Sequence, residues 1–78
     1  MSGEDVRLRL DDGELLTIGA GDVARVYENL WRLAPKPGAL TLAGLLVAES
    51  RGRTGLRPVD LTAPQSAVIR EAIAMPDA

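Results

Sequence analysis

The 78-residue chain contains no cysteine and no histidine, and eight of its nine basic residues are arginine, Lys36 being the other. Without cysteine, it can form neither disulfides nor thiolate metal sites. Without histidine, it lacks the commonest general base and the commonest metal ligand. No nucleophile has a base beside it in the sequence. We therefore predict a protein that is not an enzyme and has no catalytic residues, no cofactor and no metal ion.

Aromatic residues and long apolar runs are also scarce. Tyr27 and Trp31 are the only aromatic residues, which leaves little to stack on nucleic-acid bases. The longest apolar run, within residues 39–48, is about half the length that a bilayer-spanning helix requires. The first residues carry no basic stretch followed by an apolar one, so we see no signal peptide. These absences predict a soluble, cytoplasmic protein that does not enter a membrane.

Hydrophobic residues make up 46% of the chain, which is enough for a folded domain but only for a thin core. We predict one α+β domain over residues 1–78, with residues 1–5 disordered and residues 76–78 forming a frayed tail. Because no disulfide or metal site stabilises the chain, a second copy is the simplest added source of buried surface. The sequence thus predicts a homodimer or a complex with another protein.

Charge is spread unevenly along the chain. Residues 1–28 hold seven acidic and three basic side chains, a balance of −4, and residues 29–58 hold one acidic and five basic, a balance of +4. Residues 59–78 contribute −2, which gives the net charge of −2. The acidic first part and the basic middle can attract each other within one fold or between two copies.

Residues 6–10 alternate apolar and charged side chains, as in a half-buried strand, and residues 11–13 are a turn sequence before a second apolar stretch. Two hairpin registers compete. A two-residue loop places Leu16 opposite Arg9 and mixes apolar and charged groups on one face. A three-residue loop pairs Leu8 with Leu16 and leaves the strand's arginines on the other face. We favour the three-residue loop, because it separates the faces and lets its glycine adopt the left-handed conformation such loops need.

Apolar side chains between residues 23 and 34 recur at helical spacing and form one stripe, made of Val23, Val26, Tyr27, Leu30, Leu33 and Ala34. The predicted opposite face holds the polar residues Arg25, Glu28, Asn29 and Arg32. Gly21 or Asp22 can cap this helix, and residues 35–38 end it. Trp31 lies beside the stripe, where it either closes the edge of the core or anchors a partner, since tryptophan is enriched at interface hot spots.

Residues 39–50 are apolar nearly all round and fit either a buried strand or a helix. Their length and their leucine and alanine content favour a helix, which we predict over residues 41–50. Such a helix should be buried on more than one side. Gly44 should then pack closely against a neighbour, because an interior glycine otherwise destabilises a helix by up to about 1 kcal/mol.

Residues 56–61 indicate a short strand, and Pro58 either places it at a sheet edge or limits its pairing. Thr62 and Gln65 then form a capping-box pattern at the start of a last helix, which runs to about Met75. The order of elements is strand, strand, helix, helix, strand, helix. This order predicts a small α+β domain in which a β-hairpin and a third short strand form a sheet covered on one face by about three helices.

Arg51, Arg53 and Arg57 fall within seven positions, and the glycines between them mark a loop. Glycines and arginines in a loop can hold phosphate oxygens through backbone N–H and guanidinium groups. The segment lacks the Gly-Lys-Ser/Thr ending of the phosphate-binding loop. Our first interpretation is therefore a solvated loop or an ion-pair partner for the acidic hairpin.

The leading functional hypothesis is a small, self-associating interaction module without enzymatic activity. Its candidate interaction residues are Trp31, Arg51, Arg53 and Arg57. The alternative is an accessory nucleic-acid or phosphate-binding domain that uses the three arginines of the loop. The acidic balance of the chain and its lack of aromatic stacking surface argue against nucleic acid as the partner.

Overall fold

The computed structural model describes residues 4–52 and 57–76. Its elements are β1 (Val6–Arg9), β2 (Leu15–Ile18), a 3-10 turn (Ala20–Asp22), α1 (Val23–Arg32), α2 (Ala39–Ser50), β3 (Val59–Asp60) and α3 (Ala63–Ala74). The sheet order is β2-β1-β3, with β1 antiparallel to β2 and parallel to β3. These findings confirm the α+β class, the order of the elements and the edge position of β3.

The three-residue hairpin loop is confirmed. Leu8 lies opposite Leu16, and the loop is closed by the N–H of Leu10, which donates to the Glu14 carbonyl at 2.9 Å. Gly13 has a φ of +91°, a conformation that glycine adopts without a steric penalty. As a result, Leu8 is buried in the core, while both arginines of β1 are exposed.

The core lies between the sheet and the helices, and every helix contributes to it. Its buried apolar side chains are Val6, Leu8, Leu10, Ile18, Val23, Val26, Leu30, Ala39, Leu42, Ala43, Leu46, Leu61, Val68, Ile69 and Ala72. Alternate residues of β1 belong to this set, and those between them are exposed. The helices therefore cover one face of the sheet, and the other face is open to solvent.

The N-terminal segment is attached to the rest of the domain from Glu4 onward. The N–H of Glu4 donates to the Ser50 carbonyl at 2.9 Å, and the Asp5 carboxylate accepts from the N–H of Ala20 at 2.9 Å. Asp5 thus satisfies a donor at the start of the 3-10 turn that leads into α1. Of the residues predicted to be disordered (1–5) or frayed (76–78), residues 1–3 and 77–78 lie outside the described residues.

The helix predicted over residues 41–50 is confirmed, but the expectation that a neighbour packs closely against Gly44 was wrong. A Cβ placed on Gly44 would have no atom within 4 Å, so nothing packs closely against this glycine. Leu40 is 49% exposed, and Thr41 is exposed as well. The helix is therefore exposed along one side, at Leu40, Thr41 and Gly44, and it contacts β1, α1 and α3 with the remaining surface.

Asn29 corrects the predicted polar face of α1, because its side chain is only 2% exposed. Its amide group donates to the Ala72 carbonyl at 3.0 Å and to the Met75 carbonyl at 3.5 Å. The Arg25 guanidinium donates to the same Met75 carbonyl at 3.3 Å. The last carbonyls of a helix have no partner within it, so α1 supplies the missing donors for the end of α3.

The start of α3 is the predicted capping box. The hydroxyl of Thr62 accepts from the N–H of Gln65 at 3.3 Å, and the Gln65 side chain accepts from the N–H of Thr62 at 2.9 Å. The helix ends at Ala74, with Met75 as its cap. The sequence analysis did not identify the role of Ser66 in α3. Its buried hydroxyl accepts a hydrogen bond from the N–H of Asp11 at 2.9 Å and connects α3 to the hairpin loop.

Candidate interaction surface

Three large apolar side chains are exposed in the described part of the chain. Leu15 is 64% exposed, Trp31 is 52% exposed, and Leu40 is 49% exposed. Leu15 lies on the open face of the sheet, whereas the other two lie on α1 and α2. Single exposed apolar residues are normal on a protein surface. The question is therefore whether Trp31 and Leu40 belong to one continuous surface.

On α1, three exposed or half-buried apolar positions follow one another by a turn of helix. Ala24, Tyr27 and Trp31 are three and four residues apart, so they lie above one another on the same side. The rings of Tyr27 and Trp31 meet edge to face, with centroids 6.3 Å apart and an interplanar angle of 64°. This is a favourable aromatic geometry, and Tyr27 is itself packed against the core. The core thus supports the indole ring through one intervening side chain.

A cleft of about 310 Å³ lies between α1 and α2, lined by Ala20, Val23, Ala24, Tyr27, Val47 and Ser50. Residues near the start of α1 therefore meet residues near the end of α2, so the two helices are antiparallel. Trp31 near the end of α1 consequently lies toward the same end of the pair as Leu40 near the start of α2. Leu40 precedes Val47 by seven residues, which is close to two full turns, so the two side chains point in nearly the same direction.

These positions make up one apolar surface, which we call the α1/α2 face. Its residues are Ala24, Tyr27, Trp31, Leu40, Gly44 and Val47. Ala24 and Gly44 contribute little side chain to this surface, and the two exposed large side chains, Trp31 and Leu40, lie toward one end of it. A surface of this shape can receive an apolar group of a partner, while the two large side chains supply contact area. The sequence singled out Trp31 but not Leu40.

Charged residues border the α1/α2 face on α1. Glu28 and Arg32 are both exposed and lie one turn apart. Within residues 4–52 and 57–76, neither of them forms an ion pair. The opposite flank of α1 is occupied by the hydrogen bonds that Arg25 and Asn29 make to α3. The accessible part of α1 therefore consists of an apolar side toward α2 and one acidic and one basic group next to it.

The arginine loop is described only in part. Arg51 caps the end of α2 and is exposed, Arg57 is exposed, and Arg53 lies outside the described residues. The carboxylate of Glu4 lies directly against Gly52, so that a Cβ there would collide with it. Gly52 has a φ of +77°. An acidic group thus already lies beside the part of the loop that the structure describes.

The acidic hairpin pairs with α3. The Arg70 guanidinium lies 3.0 Å from the Asp12 carboxylate and 2.8 Å from the Glu14 carboxylate. The hydrogen bond with Glu14 is the main cause that raises the pKa of Arg70 above its usual value. This partner was not predicted, since nothing in the sequence links a hairpin loop to a helix 58 residues further on.

Two further depressions lie elsewhere on the described residues. One of about 390 Å³ lies between residues 36–37 and α3, and the ion pair of Lys36 with Glu71, at 2.6 Å, already satisfies its charged groups. The other, of about 360 Å³, lies on the open sheet face beside Leu15. No cluster of acidic side chains in the described residues is arranged to hold a metal ion.

No described helix is long and apolar enough to span a bilayer. The chain matches no protein-family model, and it has no significant match among curated proteins or solved structures. The fold and the surface together therefore define a class, a small α+β domain with an exposed apolar helical face.

Proposed function

We propose that this protein is a small, non-enzymatic interaction module that forms a homodimer through its α1/α2 face. The observation that carries the proposal is the placement of Trp31, half exposed at one end of an apolar surface and held in place by Tyr27. A side chain that packs against a neighbouring ring has less conformational freedom to lose when a partner covers it. Tryptophan is also among the residues that most often dominate interface energetics.

A second copy is the partner that the composition favours. A domain of this size buries only about 60% of the surface that its unfolded chain exposes, or slightly more, so it gains from any further burial. Twofold symmetry would cover Trp31 and Leu40 of both copies in one contact. Completing the burial of these four side chains is worth roughly 3–6 kcal/mol, counted as half of the usual value for a fully buried apolar side chain. This is modest against the cost of association, so the dimer should be sought at high micromolar concentration.

Sedimentation equilibrium tests this proposal. The wild-type protein should shift from its monomer mass of 8.3 kDa toward twice that mass as the concentration rises. Trp31→Ala and Leu40→Ala should each move the equilibrium toward the monomer. Leu15→Ala is the matched control, because it removes a still more exposed leucine from the open sheet face. A constant mass of 8.3 kDa, or a dimer weakened only by Leu15→Ala, would contradict the proposal.

The alternative is a phosphate or nucleic-acid-binding domain that uses the arginine loop. Exposure of Arg51 and Arg57 favours it, whereas the Glu4 carboxylate against Gly52 and the net charge of −2 weigh against it. Binding to a nucleic-acid column at low salt, lost steeply as salt rises, would favour this alternative. A cytoplasmic location remains part of our proposal and can be tested by cell fractionation.

A further inference from the structure

The bordering charges of α1 specify how two copies would meet, if the homodimer of the proposed function forms. Glu28 and Arg32 are exposed, and neither forms an ion pair with another described residue. Along the chain, the acidic group comes first and the basic group follows one turn later. In two antiparallel helices this order is reversed in one partner, so unlike charges face each other. In two parallel helices, like charges would face each other.

We propose that the two α1 helices of a homodimer pack antiparallel, with Glu28 of each copy paired to Arg32 of the partner subunit. The twofold axis then passes beside the last turns of α1, between positions 28 and 32. This arrangement forms two identical ion pairs at once, because a twofold interface repeats every contact. A second copy therefore carries the charges that complement Glu28 and Arg32, and it is the partner that we assign to this surface.

The same arrangement keeps the apolar and the charged contacts apart. Trp31 follows Glu28 by three residues, which places it about 60° around the helix from Glu28. This displacement is toward α2, because Tyr27, one turn before Trp31, lines the cleft between the helices. The two α1 helices of the dimer define a plane, and the twofold axis is perpendicular to it. Rotation about this axis exchanges the two copies but does not move any residue to the other side of that plane. Trp31 and Leu40 of both copies would therefore meet on one side, and the ion pairs would lie on the other.

Charge reversal tests this geometry without changing the apolar contact. In a Glu28→Arg homodimer, two arginines would face each other twice, and in an Arg32→Glu homodimer, two glutamates would do so. Each variant alone should therefore dimerise more weakly than the wild type, on the order of tenfold in dissociation constant at low salt. In an equimolar mixture, unlike charges face each other again at both positions. The two variants should then form a heterodimer of nearly wild-type affinity.

The measurement is sedimentation velocity of N-terminally labelled Glu28→Arg, titrated with unlabelled Arg32→Glu. Circular dichroism checks that both variants remain folded, and added salt should reduce the differences by screening. Asp60→Arg is the matched control for Glu28→Arg: it makes the same change in net charge, on the sheet edge, and should dimerise as tightly as the wild type. This control separates a specific pairing from an effect of overall charge.

The outcomes separate the geometry from the proposed function. Preferential heterodimer formation supports the antiparallel pairing. A wild-type dimer whose affinity is unaffected by either reversal, or a mixture no tighter than the separate variants, overturns the pairing while the homodimer stands. A wild type that remains monomeric at high micromolar concentration overturns both.

Discussion

Gly38, directly before α2, lies against the first turn of α3 at Gln65. A Cβ on Gly38 would be 3.1 Å from the Cγ of Gln65 and 3.2 Å from its backbone nitrogen. Gly38 also has a φ of +84°, in the left-handed region where a side chain is strained. One glycine thus allows both the turn between α1 and α2 and the close approach of α3.

Gly38→Ala should therefore destabilise the protein by roughly 1–3 kcal/mol, from backbone strain and from the contact with a backbone atom that cannot move freely. Urea unfolding measures this loss. Gly21→Ala is the control, because Gly21 has open space around it and no positive φ. An equal effect of both substitutions would show that close packing at Gly38 is not the cause.

Gly44→Ala should have the opposite sign and stabilise the protein by up to about 1 kcal/mol. Gly44 is exposed in the interior of α2 and has nothing near its Cβ position, so alanine gains helix propensity without a clash. Thermal unfolding at low protein concentration tests this, since there the domain itself determines the midpoint. A clear loss of stability would mean that a neighbour approaches Gly44 more closely than the structure shows.

Asn29→Ala should cost about 1–3 kcal/mol, because it removes the donor that satisfies carbonyls at the buried end of α3. Asn29→Asp should cost more, since a carboxylate has no N–H to donate and would face those carbonyls. Chemical denaturation of both variants gives the order. If the two were equally stable, the hydrogen bond to α3 would not be the reason that Asn29 is buried.

Ser66→Ala should destabilise by about 1–2 kcal/mol, because it leaves the N–H of Asp11 without its acceptor in a partly buried position. Arg70→Gln, which breaks the exposed ion pairs between the same helix and the same hairpin loop, should have a smaller effect that added salt diminishes. Comparing the two variants at low and high salt tests which contact holds the hairpin to α3. A salt-dependent loss in Ser66→Ala would contradict this assignment.

The elements with a clear local signal were predictable from the sequence. Alternation in residues 6–10 and a glycine at the third loop position were sufficient to predict the hairpin register. Thr62 and Gln65 were sufficient to predict the start of α3. Asn29 was misplaced because its acceptors belong to a helix end about 43 residues away, which no local pattern records. The exposure of Leu40, Thr41 and Gly44 on α2 was not predicted, for another reason. Apolar residues surround that helix almost evenly, so its sequence does not indicate which side the core covers.

The candidate surface was only partly foreseen. Trp31 was a candidate because it lies beside an apolar stripe, but the stripe alone does not indicate that its side chain is half exposed. Leu40 became notable only once the antiparallel packing placed it toward the same end as Trp31. The arginine loop stood out in the sequence because of its charge, yet the structure describes it only in part.

The position of β1 in the middle of the sheet has a consequence for folding. On one side β1 pairs with β2, which ends at residue 18. On the other side it pairs with β3, and the Arg9 carbonyl accepts a hydrogen bond from the N–H of Leu61 at 2.8 Å. Closing so long a loop is entropically costly and slows folding relative to local contacts. During synthesis, the hairpin and the first two helices can form while one edge of β1 is still unpaired. An unpaired edge can capture another chain, so this interval is when a newly made copy is most exposed to aggregation.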